Sequence, residues 1–545
     1  MGRINSWLQE RLGVATPNQV FITDPQELQR LENDQSQSSK DIPQNIPLSM
    51  PVVATQSTRL PFPSMLSLIA EVEAPEALTD VGLAIAALGF PGTTAGNFIN
   101  FSAPASLVSR LAELDGVRLL SYNAPVWIRT PPQIVGGLLG RITLSSVTIP
   151  SGMPAAIQSN ILHLPLLPIS LLGSLADMVG LKGIGKQLKT DVIMLTTGET
   201  RKAVGAPEHD NKIKTKVAVL DTGIVYPHPL LHPTKGMVTM LSTTGEPPLD
   251  GLGHGMWCIT CAFGDTAPTR FGTCRGIVDP DAGNLIAIKC LSNVGFGTNF
   301  GVMQAMQLAL DNGARVISMS LGGELQGSVK EDPQCQFIEQ HHREAIFVVA
   351  TGNSGPDIFT IGSPGVSPFA VTVGAWSTHY ESVAIFSSRG PQGAFYNQRR
   401  DELAKDADSL GANMYKPDCV APGGGPGSNL RVPGGHLPDP LDTPMDGVPD
   451  LIYSAVTGWM DGINDLTPGD GFGGMRGSSM ACPHAAGIIA LALDRGLISS
   501  QEDVKEKLAK TVVNSSNLKF GVRNGSTPIK DPRVGFGLIT LDRLS

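Results

Sequence analysis

Residues 217–223 read Val-Ala-Val-Leu-Asp-Thr-Gly, four apolar residues followed by a carboxylate and a glycine. A short, continuous apolar run of this kind is typical of a strand buried on both faces. Similar runs follow at residues 285–288, 316–319, 346–349 and 369–373, and a stretch with helical spacing lies at residues 300–310. This alternation predicts an α/β domain over residues 206–545, with a mostly parallel buried sheet and helices on both faces.

The composition limits the classes of protein to consider. The chain has 545 residues, of which 41% are hydrophobic and 16% charged, so it can bury a large core and is not a disordered chain. The formal net charge is −9 and no basic stripe is visible, so we do not expect nucleic-acid binding. Seven cysteines are an odd and sparse set, which argues against a disulfide-stapled secreted scaffold.

Upstream of residue 206 the chain divides into three predicted parts. Residues 1–55 form a polar N-terminal extension, and residues 56–130 alternate strand and helix patterns that predict a small α+β domain. Residues 131–205 are a linker or insertion whose apolar segment is interrupted by Pro165, Pro168 and Asp177, so no membrane span is expected. The first twenty residues lack the apolar stretch of a secretory signal peptide, which favours a cytoplasmic or particle-associated protein over a secreted one.

Three polar side chains stand where parallel α/β sheets collect their functional groups, just beyond a strand or at the start of a helix. Asp221 follows the first apolar run, His254 lies between two glycines, and Ser479 precedes an apolar helical stretch that contains Pro483. Each has a commoner explanation, namely a turn-forming aspartate, a structural histidine and a helix N-cap serine, a role that Ser478 fills equally well. Pro483 is expected in the first helical turn, where N–H groups lack partners.

Taken together, the three residues are the parts of a hydrolytic triad of nucleophile, general base and orienting carboxylate. Their order along the chain, Asp-His-Ser, differs from the Ser-Asp-His order of α/β-hydrolases, and no Gly-x-Ser-x-Gly elbow surrounds Ser479.

The sequence resembles the subtilisin-like serine proteases, the subtilases, over most of residues 210–545. The resemblance rests on segments that match the family's motifs in order, namely Asp221-Thr222-Gly223, Gly253-His254-Gly255, Ser318–Gly323, Ala350–Gly355, Ile361–Gly365, Phe386–Pro391, Lys416–Gly423 and Gly477–His484. The last segment places the nucleophile at Ser479 rather than Ser478.

This resemblance implies an endopeptidase that acts by acyl transfer on polypeptide substrates. His254 would take the proton of Ser479, Asp221 would orient the imidazole, and the Asn353 side chain with the Ser479 backbone N–H would bind the oxyanion. Substrate binding would fall to Ser320, Leu321, Gly322, Gly352 and Gly362, with the peptide added as a strand. The glycines suggest an open pocket for a sizeable apolar side chain, and without an obvious pocket acid strict Lys/Arg specificity is not expected.

The chain departs from the family directly after the histidine, where Met256, Trp257 and Cys258 replace the usual Thr-His and small residues. The sequence therefore does not predict how the residues behind His254 pack. Cys258 and Cys261 form a CxxC, but no second pair has zinc-ribbon spacing, so we expect packed, reduced thiols.

Residues 56–130 resemble a subtilase propeptide, the small domain that assists folding and caps the cleft, which implies a zymogen whose N-terminal domain is a partner of its own protease. An unrelated docking domain is the alternative. Self-cleavage would then fall between about residues 130 and 205, at a bond that the sequence does not identify. Two other functions stay open: a catalytically silent relative that serves as a binding or assembly module, and a peptidase dedicated to one partner.

The chemistry of the family requires no cofactor, although many subtilases are stabilised by calcium. A long insertion between Gly423 and Gly471 carries acidic residues that would suit a calcium loop, Asp439, Asp442, Asp446 and Asp450. Their spacing matches no EF-hand, and a merely solvated acidic loop is the alternative.

Overall fold

The structure is a computed structural model. It describes residues 3–6, 8–9, 65–128, 193–209, 211–232, 238–279, 284–325, 327–357, 360–390, 416–425, 449–462, 469–511, 522–524 and 527–545. Its contacts divide the chain into two compact units, Met1–Gly92 with Ile99–Tyr122, and Thr93–Phe98 with Asn123–Ser545. Most of the predicted extension at residues 1–55 and residues 131–192 of the predicted linker lie outside the described residues.

The first unit combines a sheet with two helices. Its strands are β1 (Arg3–Ile4), β2 (Met65–Val72), β4 (Phe98–Pro104) and β5 (Val117–Tyr122), and its helices are α1 (Leu78–Ala87) and α2 (Val108–Ala112); β3 (Thr93–Ala95) falls in the second unit. β5 pairs parallel with β1 and antiparallel with β2. The helices bury Val81, Ile85 and Leu111 against the apolar face of β2, which forms a core separate from that of the second unit.

The second unit is built around an eight-stranded sheet. Besides the strands of that sheet, the second unit contains short strands that form small separate sheets. In chain order, all the strands that follow β5 are β6 (Pro125–Trp127), β7 (Ile193–Thr196), β8 (Val217–Asp221), β9 (Thr239–Ser242), β10 (Ala267–Thr269), β11 (Gly272–Cys274), β12 (Leu285–Lys289), β13 (Phe296–Thr298), β14 (Val316–Met319), β15 (Ile346–Ala350), β16 (Val371–Ser377), β17 (Ser382–Val383), β18 (Cys419–Pro422), β19 (Asp450–Ala455), β20 (Phe472–Met475), β21 (Val522–Asn524) and β22 (Thr527–Ile529). The central sheet has the order β17-β16-β15-β14-β8-β12-β9, and β18 pairs parallel with β16. All its pairs are parallel except β16 with the edge strand β17.

Helices cover this sheet and supply the rest of the core. They are α3 (Thr197–Ala203), α4 (His254–Ala262), α5 (Asn299–Asp311), α6 (Pro333–His341), α7 (Ser478–Asp494) and α8 (Gln501–Lys510). Every residue of α4 and nearly every residue of α7 is buried, as expected for helices that are apolar all round. The predicted α/β fold with a mostly parallel sheet is thus confirmed. Among the described residues no helix combines the length and apolar character needed to cross a membrane.

Two features differ from the sequence prediction. Residues 193–203, predicted to belong to a linker, form β7 and α3, and β7 pairs parallel with β19 of the second unit. Pro483 lies in the second turn of α7, not in the first, because the helix already begins at Ser478.

The topology brings the predicted site residues to one edge of the sheet. β8, β14 and β15 are neighbours and run parallel in register, with Val217 beside Val316 and Val316 beside Ile346. Asp221 ends β8, Ser320 follows β14 and Thr351 follows β15. Side chains that leave the carboxyl ends of adjacent parallel strands meet on the same rim, which is where α/β folds place their sites.

Candidate active site

Asp221 and His254 form a buried pair. Nδ1 of His254 lies 2.7 Å from Oδ1 of Asp221, and each side chain is 1% exposed. A carboxylate can only accept, so the imidazole N–H at Nδ1 donates this bond, and in the neutral imidazole Nε2 is then the unprotonated nitrogen. Nε2 is buried and has no hydrogen-bond partner among the described residues. The pair therefore presents an oriented general base.

Asp250 fixes the start of the helix that carries His254. Its Oδ1 accepts from the backbone N–H groups of Leu252 and Gly253 at 3.0 and 2.7 Å, and its Oδ2 accepts from that of Met256 at 2.7 Å. Gly253 has φ +113°, and a Cβ there would lie 2.3 Å from the Thr457 carbonyl oxygen, so only glycine fits before the histidine. Asp250 is not among the residues predicted from the sequence; its signal is an aspartate four residues before His254 at a helix start.

Thr222 ties the strand of Asp221 to the helix of His254. Its hydroxyl donates to Oδ1 of Asp250 at 2.9 Å and accepts from the Gly255 N–H at 2.8 Å. Its carbonyl accepts from Nζ of the buried Lys289 at 2.7 Å. These hydrogen bonds thus hold the strand of Asp221 against the helix of His254 without using the imidazole nitrogens or Ser479.

The charges around His254 oppose the effect of its burial. Burial by itself lowers the pKa of the imidazole, whereas the charge and hydrogen bond of Asp221 and the charge of Asp250 raise it. The net result is a pKa above the ordinary 6.5. Burial also raises the pKa of Asp250, against the backbone donors from Gly253 and Met256 that lower it.

Ser479 lies at the N-terminal end of α7 and is 2% exposed. Its Oγ donates to the Ser320 carbonyl at 3.3 Å, and its own carbonyl accepts from Ser320 Oγ at 2.8 Å. That carbonyl is available because its helical partner would be the N–H of Pro483, which proline lacks. Because Pro483 has no N–H, the Ser479 carbonyl can accept the bond from Ser320 that joins α7 to the segment after β14.

Ser478 has a different task from Ser479. Its Oγ accepts from the Gly352 N–H at 3.0 Å, and its own N–H donates to Oδ1 of Asn353 at 2.8 Å. The hydroxyl of Ser478 is therefore committed to the loop after β15, and Ser479 is the serine available for chemistry. Because Asn353 uses its amide oxygen on α7, its NH2 group is directed away from that bond and can serve as an oxyanion donor.

The nucleophile and base are neighbours without a hydrogen bond between them. Cys258, one turn after His254, has its Sγ 3.9 Å from Nδ1 of His254 and 3.5 Å from the Ser479 carbonyl oxygen. Ser479 Oγ bonds to Ser320 instead of Nε2. Catalytic hydrogen bonds are often loose before a substrate binds.

Of the predicted substrate-binding residues Ser320, Leu321 and Gly322, Gly322 pairs with a strand from the same unit of the chain. Gly322 exchanges both backbone hydrogen bonds with Trp127, each at 3.2 Å. On the other side β13 pairs antiparallel with β6, and the N–H of Ile128 donates to the Gly295 carbonyl at 3.1 Å. Residues 125–128 thus occupy the position at which a substrate strand was expected to pair. Gly323 donates to the Ser363 carbonyl at 2.8 Å, which joins this edge to the segment of Gly362.

The residues that depart from the family pattern pack behind the histidine. Trp257 is fully buried and its Nε1 donates to the Ile452 carbonyl at 3.1 Å, while Cys261 Sγ lies 3.2 Å from Nδ1 of His484. All seven cysteines are free and buried, and burial raises the pKa of Cys258 and of Cys261. The expected reduced, packed thiols are what the structure contains.

The predicted calcium loop stays a prediction, because the structure describes one of the four residues named for it. Asp439, Asp442 and Asp446 lie outside the described residues, and Asp450 begins β19 instead of lying in an acidic loop. Asp450 is fully buried, its Oδ2 accepts from Ser377 Oγ at 2.9 Å, and burial raises its pKa to about 6. In the described part of the chain, the close group of three potential metal ligands is Asp221, His254 and Cys258, the site itself.

Comparisons with known proteins identify the family of this chain. A family model described as the subtilase family matches residues 212–537. Serine protease AprX of Bacillus subtilis is 35% identical over 312 residues, which are 54% of this chain and 60% of AprX. Pyrolysin of Pyrococcus furiosus is 30% identical over 48% of this chain and 16% of its own length. Subtilisin E of Bacillus subtilis is 26% identical over 55% of this chain and 61% of its own length.

The match therefore spans less than two thirds of each of these relatives. The family model, however, covers more than half of this chain and includes Asp221, His254, Asn353 and Ser479. The chain belongs to the subtilase family.

Proposed function

We propose that the protein is a serine endopeptidase that hydrolyses peptide bonds through Asp221, His254 and Ser479. The observation that carries this proposal is the buried Asp221–His254 pair, in which Nε2 of His254 lacks a partner among the described residues. Ser479 lies nearby at a helix N-terminus, and Gly322 pairs with peptide backbone in the cleft. No cofactor enters the steps, which use side chains and water.

The geometry suggests the following sequence of steps. His254 takes the proton of Ser479 as Oγ attacks the peptide carbonyl, and Asp221 stabilises the imidazolium that forms. The Asn353 amide and the Ser479 N–H, at the positive end of α7, stabilise the oxyanion. His254 gives its proton to the leaving amine, and water then hydrolyses the acyl-enzyme.

We also propose that the enzyme processes its own N-terminal region. Support comes from β6, a strand of the chain itself, which lies between Gly322 and β13 where an extended substrate would pair. In this proposal residues 56–130 act as a propeptide whose C-terminal end enters the cleft. Polypeptides are then the substrates, and we expect neither nucleic acid as a partner nor a membrane span. Seven free cysteines suit a reducing compartment, and we propose a cytoplasmic or particle-associated location.

A fluorophosphonate probe tests the enzyme proposal, because it labels only a serine activated by a base. Full-length protein should be labelled, and Ser479→Ala should not. Ser478→Ala is the matched control: it removes the neighbouring hydroxyl, which accepts from Gly352, and should retain labelling. A folded wild-type protein that takes no label would instead be a silent relative that acts as a binding module.

A further inference from the structure

Lys289 ends β12 and is a fully buried cation that the steps of the proposed mechanism do not use. We propose that Lys289 is a positioning residue that fixes the acid–base pair relative to β13 and the turn before it. These residues, 292–298, are called the pairing edge below, because β13 pairs with an extended segment in the cleft. This inference rests on the proposed function and concerns how a long peptide is aligned with His254.

The ammonium group of Lys289 joins three separate segments of the chain. Its Nζ donates to the Thr222 carbonyl at 2.7 Å and to Oδ1 of Asn293 at 2.8 Å. It also forms an ion pair with Oε2 of Glu246 at 3.2 Å. Each of the three N–H groups of the ammonium thus has an oxygen nearby. A buried cation needs a counter-charge, and the half-buried Glu246 supplies it.

Asn293 connects this ammonium group to the loop that leads to the catalytic histidine. Its Oδ1 also accepts from the Gly251 N–H at 3.0 Å, and its own N–H donates to Oε2 of Glu246 at 3.0 Å. A Cβ at Gly251 would lie 2.6 Å from Cγ of Asn293, so the asparagine packs directly on that backbone. The loop before α4 and the pairing edge are therefore fixed to each other through one side chain.

The same asparagine lies in the turn that opens the pairing edge. The Ser292 N–H donates to the Phe296 carbonyl at 2.8 Å, and the Gly295 N–H donates to the Ser292 carbonyl at 2.9 Å. The Gly295 carbonyl then accepts from the Ile128 N–H at 3.1 Å, so peptide backbone already pairs with this turn. The position of Gly295 relative to the active site therefore depends on how Asn293 is held.

The acid–base pair itself is held together without the ammonium group. The Thr222 N–H donates to Oδ1 of Asp221 at 2.8 Å, and the Thr222 hydroxyl donates to Oδ1 of Asp250 at 2.9 Å. Lys289 adds a bond to the carbonyl of the same threonine. Loss of the ammonium should therefore leave the pair assembled but free to shift relative to the pairing edge.

Such a shift affects long substrates more than short ones. A peptide that pairs with the pairing edge takes its position from that edge, so its reacting carbonyl is displaced from Ser479 when the edge moves. A substrate with one residue before the cut is too short to form the pairs that residues 125–128 form. Because misplacement by about 1 Å costs about 100-fold in rate, kcat for the long substrate should fall. KM should change little, since the pairing itself is retained.

Steady-state kinetics of Lys289→Met test the inference. The substrates are an N-succinyl tetrapeptide p-nitroanilide and the single-residue p-nitroanilide that shares its last residue, and fluorophosphonate titration counts the active sites. We expect kcat to fall about 10- to 100-fold for the tetrapeptide and less than about 3-fold for the single residue. Where residues 125–128 remain in the cleft they compete with the peptide, which raises KM and leaves kcat unchanged. Lys216→Met is the matched control, because it removes an exposed ammonium that donates to the Asn312 carbonyl at 3.0 Å, and neither kcat should change.

Asn293→Ala breaks the same link from the other side and keeps the ion pair of Lys289 with Glu246. It should give the same selective loss for the tetrapeptide, and it decides the question if Lys289→Met does not fold. Equal losses for the two substrates in either folded variant, or no loss, would overturn the inference and leave the proposed function standing. A wild type whose kcat does not rise with peptide length would do the same. Wild-type protein that the fluorophosphonate does not label would remove the proposed function and this inference with it.

Discussion

Asp250 accepts hydrogen bonds from three backbone N–H groups at the start of α4. Its charge adds to that of Asp221 in raising the pKa of His254. It touches neither substrate nor nucleophile, so it is a positioning residue. An asparagine in its place keeps one oxygen acceptor but loses both the charge and the acceptor for the Met256 N–H.

Asp250→Asn should therefore shift the acid limb of the pH profile to lower pH. Protonated His254 cannot act as base, so kcat/KM falls as pH drops through its pKa, which lies above 6.5 in the native protein. Removal of a nearby negative charge lowers that pKa, and the looser helix start lowers the plateau. The measurement is kcat/KM from about pH 5 to 9. Asp311→Asn, at an exposed site on α5, is the control; a midpoint that stays in place or rises contradicts the prediction.

The same residues show what the sequence can predict of a site. Asp221, His254 and Ser479 stand in recognisable segments because chemistry restricts both the residue and its neighbours. Asp250 and Thr222 act by holding backbone N–H groups, a task that leaves only a turn-like pattern in the sequence. The role of Pro483 became visible only once the helix start was known, since it depends on which carbonyl lacks a donor.

At the scale of elements, a buried ionic cluster joins β18 to β16 and to the C-terminal segment. Asp418 accepts from Nζ of Lys416 at 2.6 Å, from Nζ of Lys530 at 2.5 Å, and from the Thr372 N–H at 2.8 Å. Burial by itself raises the pKa of Asp418, but the surrounding lysine charges dominate and hold it well below its usual range. One carboxylate thus compensates several buried ammonium groups.

Asp418→Asn should be strongly destabilising, because it leaves buried lysines without a counter-charge. We expect a loss of about 3–5 kcal/mol in the free energy of unfolding. Urea denaturation in a Ser479→Ala background, which prevents self-digestion, measures it. The exposed pair of Glu506 and Lys510 offers the control Glu506→Gln, with an expected change below about 1 kcal/mol. Equal effects of the two variants would show that the cluster does not stabilise the fold.

The pH dependence of that stability has a defined sign. Because the folded pKa of Asp418 is depressed, its stabilisation is present above the ordinary value of 3.8 and is lost as pH falls below it. Asp418→Asn should therefore flatten the fall in stability at acid pH.

Elements were predicted well where apolar content alone decides them. The runs of β8, β12, β14 and β15 are fully buried and parallel, so each is a strand whatever its neighbours do. β6, β13 and β19 were not predicted. β6 and β13 have three residues each, and β19 pairs with β7, more than 250 residues away. β6 and β13 pair with each other across a long stretch of sequence, and β19 pairs both with the distant β7 and with the nearby β20.

At the scale of the whole molecule, a strand of the chain itself occupies the edge where the proposed enzyme would pair with a substrate. Residues 125–128 belong by their contacts to the second unit, although they follow the first unit directly in the sequence. A segment that is covalently attached loses little entropy on entering the cleft, since its effective concentration is high. In the proposed self-processing, the same contacts would hold the N-terminal product until it dissociates.

A synthetic peptide of residues 123–129, Asn-Ala-Pro-Val-Trp-Ile-Arg, should accordingly be a competitive inhibitor of the processed enzyme. N-methylation at Trp127 and Ile128 removes the donors to the Gly322 and Gly295 carbonyls without altering the side chains. Two such bonds are worth about 1–3 kcal/mol together, so inhibition should weaken about 5- to 150-fold. Steady-state inhibition against a chromogenic peptide measures it, with a scrambled peptide as control. If the methylated peptide inhibits as well as the parent, the backbone pairing does not hold the segment in the cleft.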